Sequence, residues 1–300
     1  MFRFEREQMV FEISGVRVGG QPGENPTVVI GSIFYRGDKT SDESGKVDKE
    51  AAQALIAKYE EVCDKVGLPC MLDVVCTRAE NARKRLEFAA DATKMPILID
   101  YINDEAAVSA LEAARELGII DRVLLNSFNP ETKGHVYQKA REVGLRAGVA
   151  LTYSSRAVIS YKERVRLLES LIPKMKEAGV EKILIDTVVM DLVTLGLACR
   201  AIYEVKSRYG YPCGCGAHNA IAMWRSLKQR KDRVLMAACS AVANALPVAV
   251  GADFVLFGPI SDAEFMVPAI AIVSASYGQV LMEDGRRPPP SHPRFKISRF

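Results

Sequence analysis

The sequence predicts a closed (β/α)8 barrel with an N-terminal β-hairpin, and three observations carry that expectation. Eight short apolar, β-branched runs recur along the chain. Amphipathic helical stretches, several ending in glycine, separate them. The eight units together occupy roughly 230 residues, the span of one barrel. Strands that are apolar throughout, with helices between them, indicate a parallel sheet covered on both sides. An open doubly wound sheet is the competing arrangement, and eight units in this length favour closure.

Residues 10–20 alternate apolar and polar side chains around Ser14-Gly15, which predicts a short hairpin plugging the bottom of the barrel. The strand candidates then follow at Thr27–Tyr35, Cys70–Cys76, Ile97–Tyr101, Val123–Phe128, Ala147–Tyr153, Lys182–Met190, Tyr211–Gly216 and Phe254–Pro259. Asp48–Val66 reads as a helix capped by Asp48, with Glu50 in its first turn and Gly67 as its terminator. Asp104–Leu117 stops at Gly118 and Pro130–Val143 stops at Gly144, where a left-handed residue is needed. Tyr161–Ala178 carries Val165, Leu168, Leu171, Ile172 and Met175 on one helical face. After strand seven the pattern offers two helices, 217–231 and about 233–246, where one is usual. The proline-rich residues 286–300 read as an extended arm, lying along the surface or on a neighbouring molecule. No linker or low-complexity segment divides the chain, so one domain over 1–300 is expected, with 1–26 as an N-terminal ribbon.

Composition narrows the class. About half of the 300 residues are hydrophobic (49%) and about a quarter charged (26%), as in a folded soluble domain. A net charge of +3 gives no nucleic-acid footprint and no polybasic membrane patch. The local basic runs at Arg83–Arg85 and Lys228–Arg233 read as solvated helix faces. The apolar windows 234–250 and 265–280 contain Asn244, Pro247 or Pro268 and read as buried helices, without membrane insertion. The opening residues are charged and no apolar signal segment follows. Seven cysteines in irregular spacing point to reduced thiols and a cytoplasmic location. A homodimer is the expected assembly.

In this architecture chemistry belongs at the C-terminal ends of the strands. Asp73 lies in strand two; Asp100 closes strand three, Asn126 strand four and Asp186 strand six. Gly214, Gly216, His218 and Asn219 end strand seven. A carboxylate directly after a buried apolar strand is costly to desolvate unless something pairs with it. Each acid alone has an ordinary explanation as a helix cap. Asp100, Asn126, Asp186 and Asn219 on one face are harder to explain that way. Acids and amides without a basic cluster fit a ligand that supplies its own N–H donors, such as a 2-amino-4-oxo-pyrimidine ring. Gly216, lacking a Cβ, lets the backbone approach such a ligand closely.

Two other readings attach to strand seven. Gly214-x-Gly216 before a helix is a fragment of a dinucleotide fingerprint, but Asn219 occupies its third glycine position. Cys213, Cys215 and His218, with Cys239, form a zinc-ligand set of the kind that thiol methyltransferases use. Alternation puts Cys213 and Cys215 on one side of the strand, where they also fit between sheet and helices as small hydrophobes.

The segments Gly19-Gly-Gln-Pro-Gly23, Ile30-Gly-Ser-Ile-Phe34, Leu125-Asn-Ser-Phe-Asn129-Pro and Ala217-His-Asn219 resemble the H-subunit family of tetrahydromethanopterin S-methyltransferase. That family includes bacterial methylcorrinoid:tetrahydrofolate methyltransferases of the glycine betaine and methylamine type. The resemblance runs from about residue 2 to residue 285. It implies that Asp100, Asn126 and Asp186 hold a pterin ring and that Asn219 lies at N5 as the catalytic residue; Asp73 and Gly216 complete the expected substrate-binding set. Pterin barrels that make dihydropteroate carry a Lys at the end of strand seven. Asn219 stands there instead, which argues against pteroate synthesis.

The resemblance further implies methyl transfer between a corrinoid (cobalamin) on a partner protein and N5 of a tetrahydropterin. The corrinoid carries the hard step, so this chain needs no cofactor or metal of its own. The Asn219 amide would bond N5, and a proton would arrive through water near Asp73 or Asp186. None of His135, His218 and His292 has an Asp two residues earlier, as cobalamin domains of the lower-ligand-swapping type do. A corrinoid-carrying protein is therefore the expected partner. The mildly basic balance leans towards tetrahydrofolate as the pterin. Tetrahydromethanopterin, a zinc thiol methyltransferase and a non-catalytic pterin-binding subunit are the alternatives.

Overall fold

A small hairpin precedes the barrel in the computed structural model, which describes all residues from Met1 to Phe300. The antiparallel pair β1 (Val10–Ile13) and β2 (Val16–Gly19) is followed by eight parallel strands. These are β3 (Val28–Ile33), β4 (Cys70–Cys76), β5 (Ile97–Tyr101), β6 (Val123–Phe128), β7 (Ala147–Leu151), β8 (Lys182–Asp186), β9 (Cys213–Cys215) and β10 (Phe254–Pro259). They close in sequence order, with β10 pairing back onto β3. Barrel strands two, three, four and eight have the expected bounds, and strand one is three residues shorter than expected. Strands five, six and seven of the barrel are shorter than expected, because the residues beyond Leu151 and Asp186 turn into loops and β9 pairs over only three residues.

Around the barrel run α1 (Lys49–Val66), α2 (Ala79–Ala92), α3 (Asp104–Glu116), α4 (Gly134–Val143), α5 (Tyr161–Glu177) and α6 (Leu192–Arg208). Asp48 caps α1 by accepting from the Ala51 N–H, and Gly67 ends it at φ 81°. Helix α4 begins four residues later than its periodicity suggested. Asn129 and Thr132 fold the intervening residues into a turn through side-chain bonds to local N–H groups. The expected helix over 217–231 is in fact two short ones, α7 (Asn219–Ala222) and α8 (Arg225–Gln229), broken where Trp224 takes ψ 86°. Then come α9 (Arg233–Ala249) and α10 (Ala263–Glu283). The apolar stretch Ile260–Glu283 is long and apolar enough to cross a membrane by composition, yet half of it is buried against the barrel layer.

Two cores result from the period-2 alternation of the strands. Inside the barrel, Val28, Ile30, Met71, Leu98, Leu124, Val149, Leu184, Phe254 and Leu256 pack together, and Ile13 and Val18 of the hairpin close the bottom. The alternate residues face the helices in a much larger layer. At the closed end Lys206, fully buried, donates to both carboxylate oxygens of Asp253 (2.6 Å each) and to the Gly20 carbonyl. That pair anchors the ribbon under β9 and β10. The arm after Gly285 does not stay extended. It ends in α11 (Pro293–Lys296), with His292 buried against Gly278 of α10 and Lys296 bonded to Asp64 of α1.

Candidate active site

The alternation that fills the barrel with Ile30, Met71, Leu98, Leu124 and Leu184 places the next inward residues at the open end. These are Ser32, Asp73, Asp100, Asn126 and Asp186, all but Ser32 chosen from the sequence as site residues. Strand pairing sets them level: Ser32 opposite Asp73, Asp100 opposite Asn126, and Asp186 between Leu151 and Gly214. An apolar barrel interior therefore ends in a ring of acids and amides.

Asp73 sits at the centre of a bonded set. Ser32 Oγ donates to its Oδ2 (2.7 Å) and Asn126 Nδ2 to its Oδ1 (3.2 Å). Burial nevertheless pushes its carboxyl up to about 6, against the pull of those two donors. Asp100 is different. It receives no hydrogen bond from the chain, and burial together with the neighbouring Asp73 charge holds it well above the usual carboxylate range. Two close carboxyls cannot both ionise cheaply, and Asp100, the one without donors, is the more strongly raised of the two. A ligand that brings N–H donors would satisfy this group. Asp100 and Asn126 line a cavity of about 370 Å3 with Tyr101, Asn129 and Leu151. The Tyr101 hydroxyl donates to the Ser127 carbonyl (2.6 Å), and the Asn126–Ser127 peptide is cis.

Asp186 lies across the mouth, outside that cavity's lining. Its Oδ1 accepts the Val188 N–H (2.7 Å), and burial raises it to about 6 although Arg164 pulls it down. Val188 has φ 50°, a left-handed conformation that a β-branched residue rarely adopts. Phe34, just past β3, is likewise left-handed at φ 64°. Strained residues directly after two barrel strands mark this end as the place where structure is held against local preference.

At β9, Gly214 faces inward against Phe254, while Cys213 and Cys215 point outward into the helix-side core. Burial raises both thiols well above their ordinary value, so they behave as hydrophobes. His218 hydrogen-bonds the Leu256 carbonyl through Nδ1 (3.0 Å). Burial lowers its basicity, so its ring is neutral with the Nε2 lone pair free. Cys213, Cys215, His218 and Cys239 do not converge, and no three His, Cys, Asp or Glu side chains in the chain form a metal-ligating group. Gly258 makes room for the imidazole, since a Cβ there would stand 3.2 Å from His218 Cβ; one at Gly216 would stand 3.5 Å from Asn219 Nδ2, an ordinary contact. Gly216 thus lies beside Asn219 and His218, and their packing does not require a glycine there. Asn219 opens α7, which has no side-chain cap, so its amide is not spent on the helix.

Sequence reasoning placed Ser32 and His218 at strand ends without a role in a pterin site, and it missed Tyr101 and Arg164. The last had a legible signal, since Arg164 falls on the apolar stripe of α5 with Leu168, Leu171 and Met175. A groove of about 940 Å3 between α1 and α2 contains none of these residues. It is lined by long charged side chains such as Lys46, Lys84 and Glu87, a poorer binding surface than the barrel mouth.

Comparison with known proteins bears on what such a mouth serves. A family model described as the tetrahydromethanopterin S-methyltransferase MtrH subunit matches residues 6–288. The H subunit of tetrahydromethanopterin S-methyltransferase from Methanothermobacter thermautotrophicus is 34% identical, covering 99% of this chain and 100% of the relative. Its counterpart from Methanocaldococcus jannaschii is 33% identical over 99% and 100%. The H subunit of a putative methyltransferase, mtx, from Methanosarcina mazei is 29% identical over 98% of each. Among solved structures, Xanthomonas albilineans dihydropteroate synthase in complex with 7,8-dihydropteroate superposes with a TM-score of 0.61 at 16% identity, over 89% of this chain and 98% of that one. A Yersinia pestis dihydropteroate synthase with a sulfonamide drug gives 0.64 at 13% identity, over 89% and 98%. At those identities the likeness is one of fold.

Proposed function

This chain belongs to the MtrH family, the H subunits of tetrahydromethanopterin S-methyltransferase, and we propose that it is the pterin-handling methyltransferase component of a larger assembly. Its substrate is the N5 methyl group of tetrahydromethanopterin. Tetrahydrofolate, favoured above on charge balance, gives way here: the relatives carry tetrahydromethanopterin in their names, and a net charge of +3 spread over the whole chain is a weak selector. The observation that carries the reading is Asp100, a half-buried carboxyl at the barrel mouth that receives no hydrogen bond from the chain, beside Asn126.

In this reading Asp100 and Asp186 take the N–H edge of the pterin ring and Asn126 reads the rest, its orientation set by the bond to Asp73. The ring's 2-amino and adjacent N–H groups give Asp100 the donors it lacks. Asn219 donates to N5 and strengthens that bond as charge changes there. Proton exchange at N5 passes through water near Asp73, Asp186 or the free Nε2 of His218. The corrinoid, carried by a partner protein, supplies the cobalt centre that takes or gives the methyl group. The relatives are named as subunits, which supports such a partner. A homodimer is supported by the exposed apolar side chains of α9 and α10.

Methyl transfer from free methylcobalamin, assayed side by side with tetrahydromethanopterin and tetrahydrofolate, tests the reading. Methylated tetrahydromethanopterin is the expected product. Methylation of tetrahydrofolate alone would restore the other pterin. No transfer to either pterin, despite binding, would leave a non-catalytic pterin-binding subunit.

A further inference from the structure

Arg164 stands in the first turn of α5 and is fully buried, yet no carboxylate pairs with it. Its guanidinium donates instead to carbonyls of two loops. Nε reaches Ala157 O (2.8 Å) and Nη2 reaches Val158 O (2.9 Å), in the segment after β7. Nη1 reaches Thr187 O (2.9 Å) and Val188 O (3.0 Å), in the segment after β8. One cation thereby ties together the two loops that border the Asp186 side of the mouth. A rigid planar fork with five donors suits that task, and a lysine ammonium does not.

The tie leads directly to the carboxylate. Val188, whose carbonyl Arg164 holds, is the left-handed residue whose N–H donates to Asp186 Oδ1. A β-branched residue stays in that conformation only where its surroundings impose it. We infer that Arg164 is a positioning residue for the pterin site: it clamps the Val188 turn so that Asp186 is aimed into the barrel mouth, and it places a positive charge behind that carboxylate. This rests on the reading of Asp186 as a ring-binding acid. The other titratable groups around the pair are the Cys213 and Cys215 thiols of β9, which burial keeps protonated, and Asp191 at the start of α6, which faces Arg164.

The sign of the pH effect follows from the charge. Burial raises Asp186 to about 6 and Arg164 opposes that rise, so binding that needs the ionised acid weakens as pH falls through about 6. Without the guanidinium the acid rises further, and binding is lost at a higher pH.

A double-mutant cycle with Arg164→Gln and Asp186→Asn tests this. Tetrahydromethanopterin binding is measured by calorimetry from pH 5 to 8, beside thermal melts. Arg164→Gln should weaken binding by about tenfold at pH 7, the size of one charge-assisted bond, and move the acid limb upward. In the Asp186→Asn background the same change should cost less than about twofold. Arg164→Lys keeps the charge and loses the fork, so its acid limb should stay in place while affinity falls; it also serves if Arg164→Gln does not fold. An equal loss with and without the Asp186 carboxylate would make Arg164 a loop brace only. If Asp186→Asn alone leaves affinity unchanged, the pterin site itself is misassigned and the positioning role goes with it.

Discussion

Asn219 is the residue on which the proposed chemistry turns. It opens a four-residue helix without capping it, with Gly216 beside its amide. If that amide bonds N5 more tightly in the transition state than in the ground state, Asn219→Ala falls on turnover and not on binding. One such donor is worth about 2–4 kcal/mol, so turnover should drop by roughly ten- to a thousand-fold while pterin affinity changes by less than about tenfold. Single-turnover transfer from methylcobalamin, read beside a thermal melt, decides it. A lower melting temperature at an unchanged rate constant would return Asn219 to a structural role. The neighbouring acids were legible because each ends an apolar run at the level where a barrel strand stops. Arg164 left a fainter trace: it falls on the apolar stripe of α5, but an arginine there looks like a solvated break in the stripe until its carbonyl partners are seen.

The N-terminal hairpin shows how an element with no chemistry supports one with much. Ile13 and Val18, both fully buried, close the barrel floor beneath Val28, Met71 and Leu184. Removing that plug leaves a cavity under the inward layers, and Ile13→Ala should cost roughly 2–5 kcal/mol. The acids are held by strand register at the opposite end, so the turnover of folded molecules should not move. Denaturant unfolding and initial rates on the same preparation check both statements, and a rate loss matching the stability loss would show that the floor and the mouth are coupled. The β9 to α9 connection was harder to read. The apolar positions of 217–231 fit one helix, but Trp224 breaks it and donates to Ser226 Oγ (2.8 Å), a local bond that periodicity does not register.

Taken whole, the barrel carries one face that its own packing leaves uncovered. Helix α9 has no charged side chain after Arg233, yet only Ala243, Asn244, Pro247 and Val248 of it are buried. Val242 is 68% exposed, and Phe265 and Ile272 of the adjoining α10 are 59% and 60% exposed. Exposed apolar side chains on two adjoining helices are what a docking surface needs. Under the homodimer reading, Val242→Glu with Ile272→Glu should convert a dimer into a monomer of 33.0 kDa in sedimentation equilibrium. A parent protein that already sediments at that mass, or a doubly substituted one that stays dimeric, would place the contact elsewhere.

The barrel, its hairpin floor and most of the acids at its mouth were written in the local pattern of the chain. All three follow from short-range rules: the two-residue period of strands, the 3.6-residue period of helices, and polar residues placed where an apolar run ends. Which side chains meet is a matter of how the barrel closes. Closure bonds Asp73 to Ser32 and Asn126 across neighbouring strands, and it leaves Asp100 without a donor. It sends Cys213 and Cys215 to the helix side, away from His218, and it sets Arg164 behind Asp186. Those pairings join residues that strand closure and loop geometry bring together from across the chain, and no local periodicity encodes such distances.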